Sequence, residues 1–131
     1  MTARILHPTG WKPPRGYSNG VSASGRMIFV SGMIGWDASA TLVARDLVGQ
    51  AAQALRNIVA VLAEDGARPE HVVRLTWYVT DRVAYLQGAE ALGAAYREVM
   101  GRHFPAMSVV EVSALMERGA LVEIEATAVV P

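Results

Sequence analysis

The last thirty or so residues constrain the fold of this chain most. They run His103-Phe104-Pro105-Ala106-Met107-Ser108-Val109-Val110-Glu111-Val112, then pass a polar turn at Met116-Glu117-Arg118-Gly119, and return as Ala120-Leu121 through Val129-Val130. Two apolar runs around a glycine-containing turn predict an antiparallel hairpin. On the returning strand, alternation puts Val122, Ile124, Ala126 and Ala128 on one face and Leu121, Glu123, Glu125, Thr127 and Val129 on the other. The first set suits a sheet face covered by helices. The second sets two carboxylates two residues apart among apolar neighbours. A solvated strand face and a polar cleft are both readings of that pair.

Upstream, residues 1–16 hold Pro8, Gly10, Pro13, Pro14 and Gly16 and read as an irregular lead-in. Tyr17-Ser18-Asn19-Gly20-Val21 opens a short strand, and Ser24-Gly25 turns it. Met27 to Ile34 is a nearly continuous apolar strand, as expected for the centre of a sheet. A first helix follows, with Asp46 as N-cap or first-turn acid. Leu47, Ala51, Leu55, Ile58 and Leu62 form its buried stripe, with Gln50, Gln53, Arg56, Asn57 and Glu64 off the stripe. Gly66 and Pro69 end it. Val72 to Thr80 is a β-branched and aromatic strand. Thr80 or Asp81 caps a second helix striped by Tyr85, Ala89, Leu92, Tyr96 and Val99, which Gly101 stops. The order is β-β-α-β-α-β-β, an α+β mixed sheet with two helices on one face. Its other face must be hidden in another way, most simply between subunits.

The chain has 131 residues, enough for one domain over 1–131, and 52% are hydrophobic. Twelve basic and twelve acidic residues balance, with no like-charge run longer than two. That composition argues against a nucleic-acid surface and against electrostatic attachment to a membrane. No cysteine is present, which excludes disulfides, thiolate catalysis and thiolate metal sites. His7, His71 and His103 lack metal-ligand spacing, and there is no glycine-rich phosphate loop, so neither metal nor cofactor is expected. Lys12, the one lysine, lies in the lead-in, which disfavours Schiff-base chemistry. The N-terminus, from Met1-Thr2-Ala3, lacks the long apolar core of a signal peptide, and the expectation is a cytoplasmic protein.

Four segments carry a family likeness. Pro14-x-Gly16-Tyr17-Ser18, Phe29-Val30-Ser31-Gly32, Phe104-Pro105-Ala106-x-Ser108 and Leu121-Val122-Glu123-Ile124-Glu125-Ala126 together resemble the RidA (YjgF-type) family, over residue 14 to the end. The resemblance implies a homotrimer with a chorismate-mutase-like fold. It also implies enamine/imine deaminase activity in a cleft between subunits. In that cleft Glu123 would help position the water or proton relay, and Tyr17, Ser31, Gly32, Met33, Met107, Ser108 and Val109 would contact the ligand. Read from the residues alone, Tyr17 is equally a half-buried strand tyrosine, and Ser31-Gly32 equally a bulge or close backbone approach.

Three positions depart from the pattern. The family's substrate-binding arginine follows Pro-Ala or Pro-Thr, where this chain has Met107. Its usual glutamine after Ser-Gly is Met33. The asparagine three residues before the Tyr96 position is Gly93. A methionine cannot form the bidentate, charge-assisted pair that an arginine makes with a carboxylate. Arg74, Arg97, Arg102 and Arg118 are the cations that could supply one from elsewhere. The expectation is a RidA-like deaminase or hydrolase with altered substrate recognition. A non-catalytic trimeric small-molecule-binding or regulatory protein is the alternative, separated from it by amine release from imines. A ribonuclease, a label carried by some relatives, would show salt-dependent RNA binding instead.

Overall fold

The computed structural model describes residues 3–131. Met1 and Thr2, the start of the expected lead-in, lie outside the described residues. Within that lead-in, Arg4–Leu6 forms a short strand, β1, paired antiparallel with β2, Gly20–Ser22. The main sheet contains β3 (Arg26–Met33), β4 (Val72–Val79), β5 (Ala106–Glu111) and β6 (Val122–Val130) in the order β3-β6-β4-β5. Helix α1 spans Leu47–Ala63, α2 spans Arg82–Gln87 and α3 spans Ala89–Met100. The fold is the expected α+β arrangement. It differs in having the added N-terminal strand, in the break of the second helix at Gly88, and in β3. That strand is an edge strand with only Val30 buried instead of the centre of the sheet, its apolar residues Met27 and Phe29 facing the side that no helix covers.

The terminal hairpin does not form. β5 pairs in parallel with β4, with Leu75 opposite Met107, and β6 runs antiparallel on the other side of β4, with Tyr78 opposite Glu123. The reason lies between β4 and β5. The strand, the helices over 82–100 and the next strand make a β-α-β crossover, which returns the chain parallel to its start. The loop from Val112 to Leu121 then carries the chain past β4 to its far side.

Local chemistry sets the helix ends. The Asp46 side chain accepts from Gly49 N, and Asp81 accepts from Ala84 N, so both act as N-caps. Gly101 closes α3 at φ 73°, a left-handed conformation open to glycine. Leu55, Ile58 and Leu62 of α1 are fully buried against Leu75, Val122, Ile124 and Ala128 of the sheet. Truncating one of these leucines to alanine costs about 2–5 kcal/mol.

Gln50 sits off the predicted stripe, yet it is fully buried. Its Nε2 donates to Ala44 O at 3.0 Å and Gly119 O at 2.9 Å, and its Oε1 accepts from Leu121 N at 2.7 Å. One side chain thus ties the entry of α1 to the entry of β6. Asn57 plays a similar part, donating to Ile34 O and Trp36 O and fixing the exit of β3.

A two-faced sheet as candidate functional site

The helices cover the face of the sheet that carries Val30, Leu75, Trp77, Val79, Val122, Ile124 and Ala126, all buried. The opposite face is open. On it, Arg74, Thr76 and Tyr78 of β4 stand beside Thr127, Glu125 and Glu123 of β6. Tyr78 donates its hydroxyl hydrogen to Glu125 Oε1 at 2.7 Å. That bond, with desolvation and the neighbouring carboxylate charges, raises the Tyr78 pKa above the ordinary tyrosine value.

β3 breaks its ladder at this face. Val30 pairs with Ala126 and Met33 with Ile124, so Ser31 and Gly32 together oppose Glu125. This is a β-bulge, which re-aims the residues it contains. Ser31 turns to the open face, where with Phe29, Arg74, Thr76, Glu125 and Thr127 it lines a hollow of about 430 Å³. Gly32 lies against Glu123. A methyl group at Gly32 would fall 2.6 Å from Glu123 Cδ and overlap the carboxylate. The bulge therefore seats Glu123 by the absence of a side chain.

The other expected site residues lie elsewhere. Met107 and Val109 pack on the helix side against the core, as does Met33 beyond the bulge. Ser108 is exposed on the open face, opposite Thr76. Tyr17 is 40% exposed near the start of β5. Its neighbour Ser18 holds it there, donating through Oγ to Phe104 O at 2.5 Å and through N to Pro105 O at 3.0 Å. Thus Ser31 and Gly32 lie on the β3 edge, with Glu123 on the adjoining β6, whereas Tyr17, Met107 and Ser108 lie at the β5 edge. Three inter-strand spacings, about 14 Å, separate the two edges.

On the helix side, α2, α3 and the β4–β5 edge enclose a cavity of about 260 Å³, lined among others by Arg15, Trp77, Tyr85, Gly93, Arg97 and Met107. Trp77 meets Tyr85 edge-to-face at 6.1 Å, and Tyr96 stacks on Phe104 at 5.7 Å. Tyr96 also donates to His103 O at 2.5 Å, and its burial raises its pKa, as burial does for Tyr85. Arg97 is one of several cations scattered along the sequence. Its spacing of four from Gly93 puts the two on one face of a helix, and the fold sets that face over this cavity.

The sequence matches the family model for endoribonuclease L-PSP over residues 9–130. Its fold superposes on YyfB of Yersinia pestis, a protein of the conserved Rid family. The TM-score is 0.88 at 36% identity, covering 99% of this chain and 100% of that one. The chain belongs to the RidA/YjgF family. Among relatives of this family, it is 42% identical over 119 residues to the protein DfrA of Myxococcus xanthus, covering 86% of this chain and 84% of that protein. It is 35% identical over 116 residues to the 2-iminobutanoate/2-iminopropanoate deaminase of Salmonella typhimurium, covering 86% of each. Among the described residues no group of three or more His, Cys, Asp or Glu side chains is placed to hold a metal ion, and no helix is long and apolar enough to cross a membrane.

Proposed function

We propose that this RidA-family chain hydrolyses a reactive enamine or imine to the corresponding carbonyl compound and ammonia. The observation that carries this reading is the Glu123 carboxylate seated on Gly32 at the β3 bulge, beside Ser31. Such a carboxylate can serve as a general base on the open face, two residues along β6 from Glu125, which lines the hollow with Ser31. It takes a proton from water as the water oxygen bonds to the imine carbon, and the C=N π pair moves onto nitrogen. It then returns the proton to that nitrogen. The carboxylate next takes the hydroxyl proton of this carbinolamine and passes it to the amino nitrogen, so that the C–N bond breaks, ammonia leaves and the O–H pair becomes the C=O π bond. The activity named for the Salmonella relative supports this reading.

The working unit is a homotrimer whose ligand clefts lie between subunits. Glu123, Ser31 and Gly32 of one subunit face the Tyr17, Met107 and Ser108 edge of the next. Within one chain Ser31 and Gly32 lie three inter-strand spacings, about 14 Å, from the β5 edge, and Glu123 lies two, about 10 Å, which supports a shared site. The apolar side chains on the open face support an interface as well, with Phe29 71% and Met27 56% exposed.

Met107 at the family's arginine position alters recognition. A small carboxylated imine loses a charge-assisted contact there, worth roughly 1.5–3 kcal/mol. Turnover of 2-iminopropanoate is expected to be poor, and imines with a larger apolar group are expected to do better.

A second reading, a trimeric binding or regulatory protein without catalysis, draws on Met107 and Gly93, which remove two polar contacts from the family pattern. Ammonia release from a panel of imines generated in situ separates the two. Acceleration over the spontaneous rate supports the hydrolase. Saturable binding with no acceleration supports the binding protein. The ribonuclease label of the family model is not carried over, because basic and acidic residues balance at twelve each and no basic stripe offers itself to a phosphate backbone.

A further inference from the structure

We propose that Arg97, not a residue of β5, binds the carboxylate of the ligand in this chain. The inference rests on the hydrolase reading for the identity of the cleft and adds to it the residue that recognises the substrate.

Gly93 and Arg97 are one turn apart on α3. A side chain at position 93 would meet Arg97 Nη1 at 3.2 Å from its Cβ. The guanidinium therefore lies over Gly93, in the space a larger residue would fill, at the wall of the 260 Å³ cavity that also contains Met107. Arg15 lines the same cavity, and no aspartate or glutamate does. Among the described residues the ion pairs are Arg26–Asp65 and Arg68–Glu70, so neither Arg15 nor Arg97 is neutralised by a carboxylate.

A second observation points to a ligand. Trp77 is 2% exposed and lines this cavity, and its Nε1 is the one buried side-chain polar atom without a hydrogen-bond partner among the described residues. An unpaired buried donor is costly unless a ligand or water accepts from it. The rest of the lining is aromatic or aliphatic: Tyr85, Tyr96, Phe104, Leu92 and Met107. Two unpaired cations, an indole donor and ring-bearing walls suit a monocarboxylate with a flat apolar body. The missing β5 arginine leaves room for that body, and Arg97 supplies the charge from the helix.

Benzoate is the probe, with benzamide as its neutral counterpart, each titrated calorimetrically into the intact protein. The wild type binds benzoate more tightly than benzamide. Arg97→Gln weakens benzoate at least tenfold and leaves benzamide within twofold, a split that mere structural damage would not produce. Arg97→Gln/Met107→Arg regains benzoate affinity by returning the cation to β5. The proposal is overturned if benzoate does not bind the wild type at millimolar concentration. It is also overturned if Arg97→Gln binds benzoate like the wild type, or if Arg15→Gln alone causes the loss. These titrations need no turnover. Absence of ammonia release would therefore remove the hydrolase reading and leave the Arg97 result standing.

Discussion

Met107 and Glu123 lie on opposite faces of the sheet. Met107 pairs with Leu75 and packs toward the helices, whereas Glu123 pairs with Tyr78 on the open face, and β4 runs between them. An arginine at position 107 would therefore enter the helix-side cavity of its own subunit, not the surroundings of its own Glu123. A site that uses both residues takes them from two copies of the chain.

Assembly is the first consequence. Light scattering at micromolar concentration should give three times the chain mass. Phe29→Glu should reduce it to the monomer, because a charge would replace a side chain that is 71% exposed on the open face. A monomeric wild type would refute the shared cleft.

Gly32→Ala tests how Glu123 is seated. The added methyl group meets the Glu123 carboxyl carbon at 2.6 Å, so the carboxylate must move. Overpacking should cost about 1–3 kcal/mol of stability. Misplacing a catalytic group by about 1 Å lowers turnover by as much as 10²-fold. Unchanged ammonia release would mean that Glu123 does not depend on this seat.

Gln50→Leu keeps the bulk of the side chain but leaves Ala44 O, Gly119 O and Leu121 N without their partner. Each unsatisfied buried group costs about 1–3 kcal/mol, so the variant should melt well below the wild type. A melting temperature within a degree of the wild type would show that these backbone groups find other partners.

Stability should fall in alkali. The pKa values of Tyr78, Tyr85 and Tyr96 are all raised in the fold. The unfolded chain ionises its tyrosines near pH 10 and the folded chain does so higher. Between those limits the folded state binds more protons, so the stabilisation is complete below about pH 10 and is lost as pH rises above it. Tyr96→Phe should flatten the urea-midpoint profile above pH 10. A wild-type midpoint independent of pH from 9 to 11 would contradict this.

Much of the fold was legible because the signals were local. The alternation over Val122 to Val130 fixed the two faces of β6, since a one-residue slip would turn every side chain over. Asp46, Asp81 and Gly101 marked helix ends by chemistry that acts within a turn. The pairing of β5 was not legible. An apolar run, a turn and a second apolar run describe a hairpin and also a strand that pairs with an earlier one, and only the crossover through α2 and α3 decides between them.

For the same reason the expected hairpin set the strands of Met107 and Glu123 next to each other, and Arg97 stayed scattered among other cations. Gln50 escaped notice because its burial comes from the loop before β6, far away in the chain. The Ser31-Gly32 bulge was one of two readings of that dipeptide. The close approach of Glu123 that explains it comes from the neighbouring strand.

Ammonia release from an aromatic 2-imino acid formed in situ reports Glu123-dependent hydrolysis of an imine. The wild type should accelerate release over the spontaneous rate. Glu123→Gln, which keeps the shape and loses the basicity, should return it to that rate while benzoate affinity and trimer mass are unchanged. Equal rates for the wild type and Glu123→Gln, both above the spontaneous rate, would take catalysis away from this carboxylate. No acceleration by the wild type would contradict imine hydrolysis by this chain.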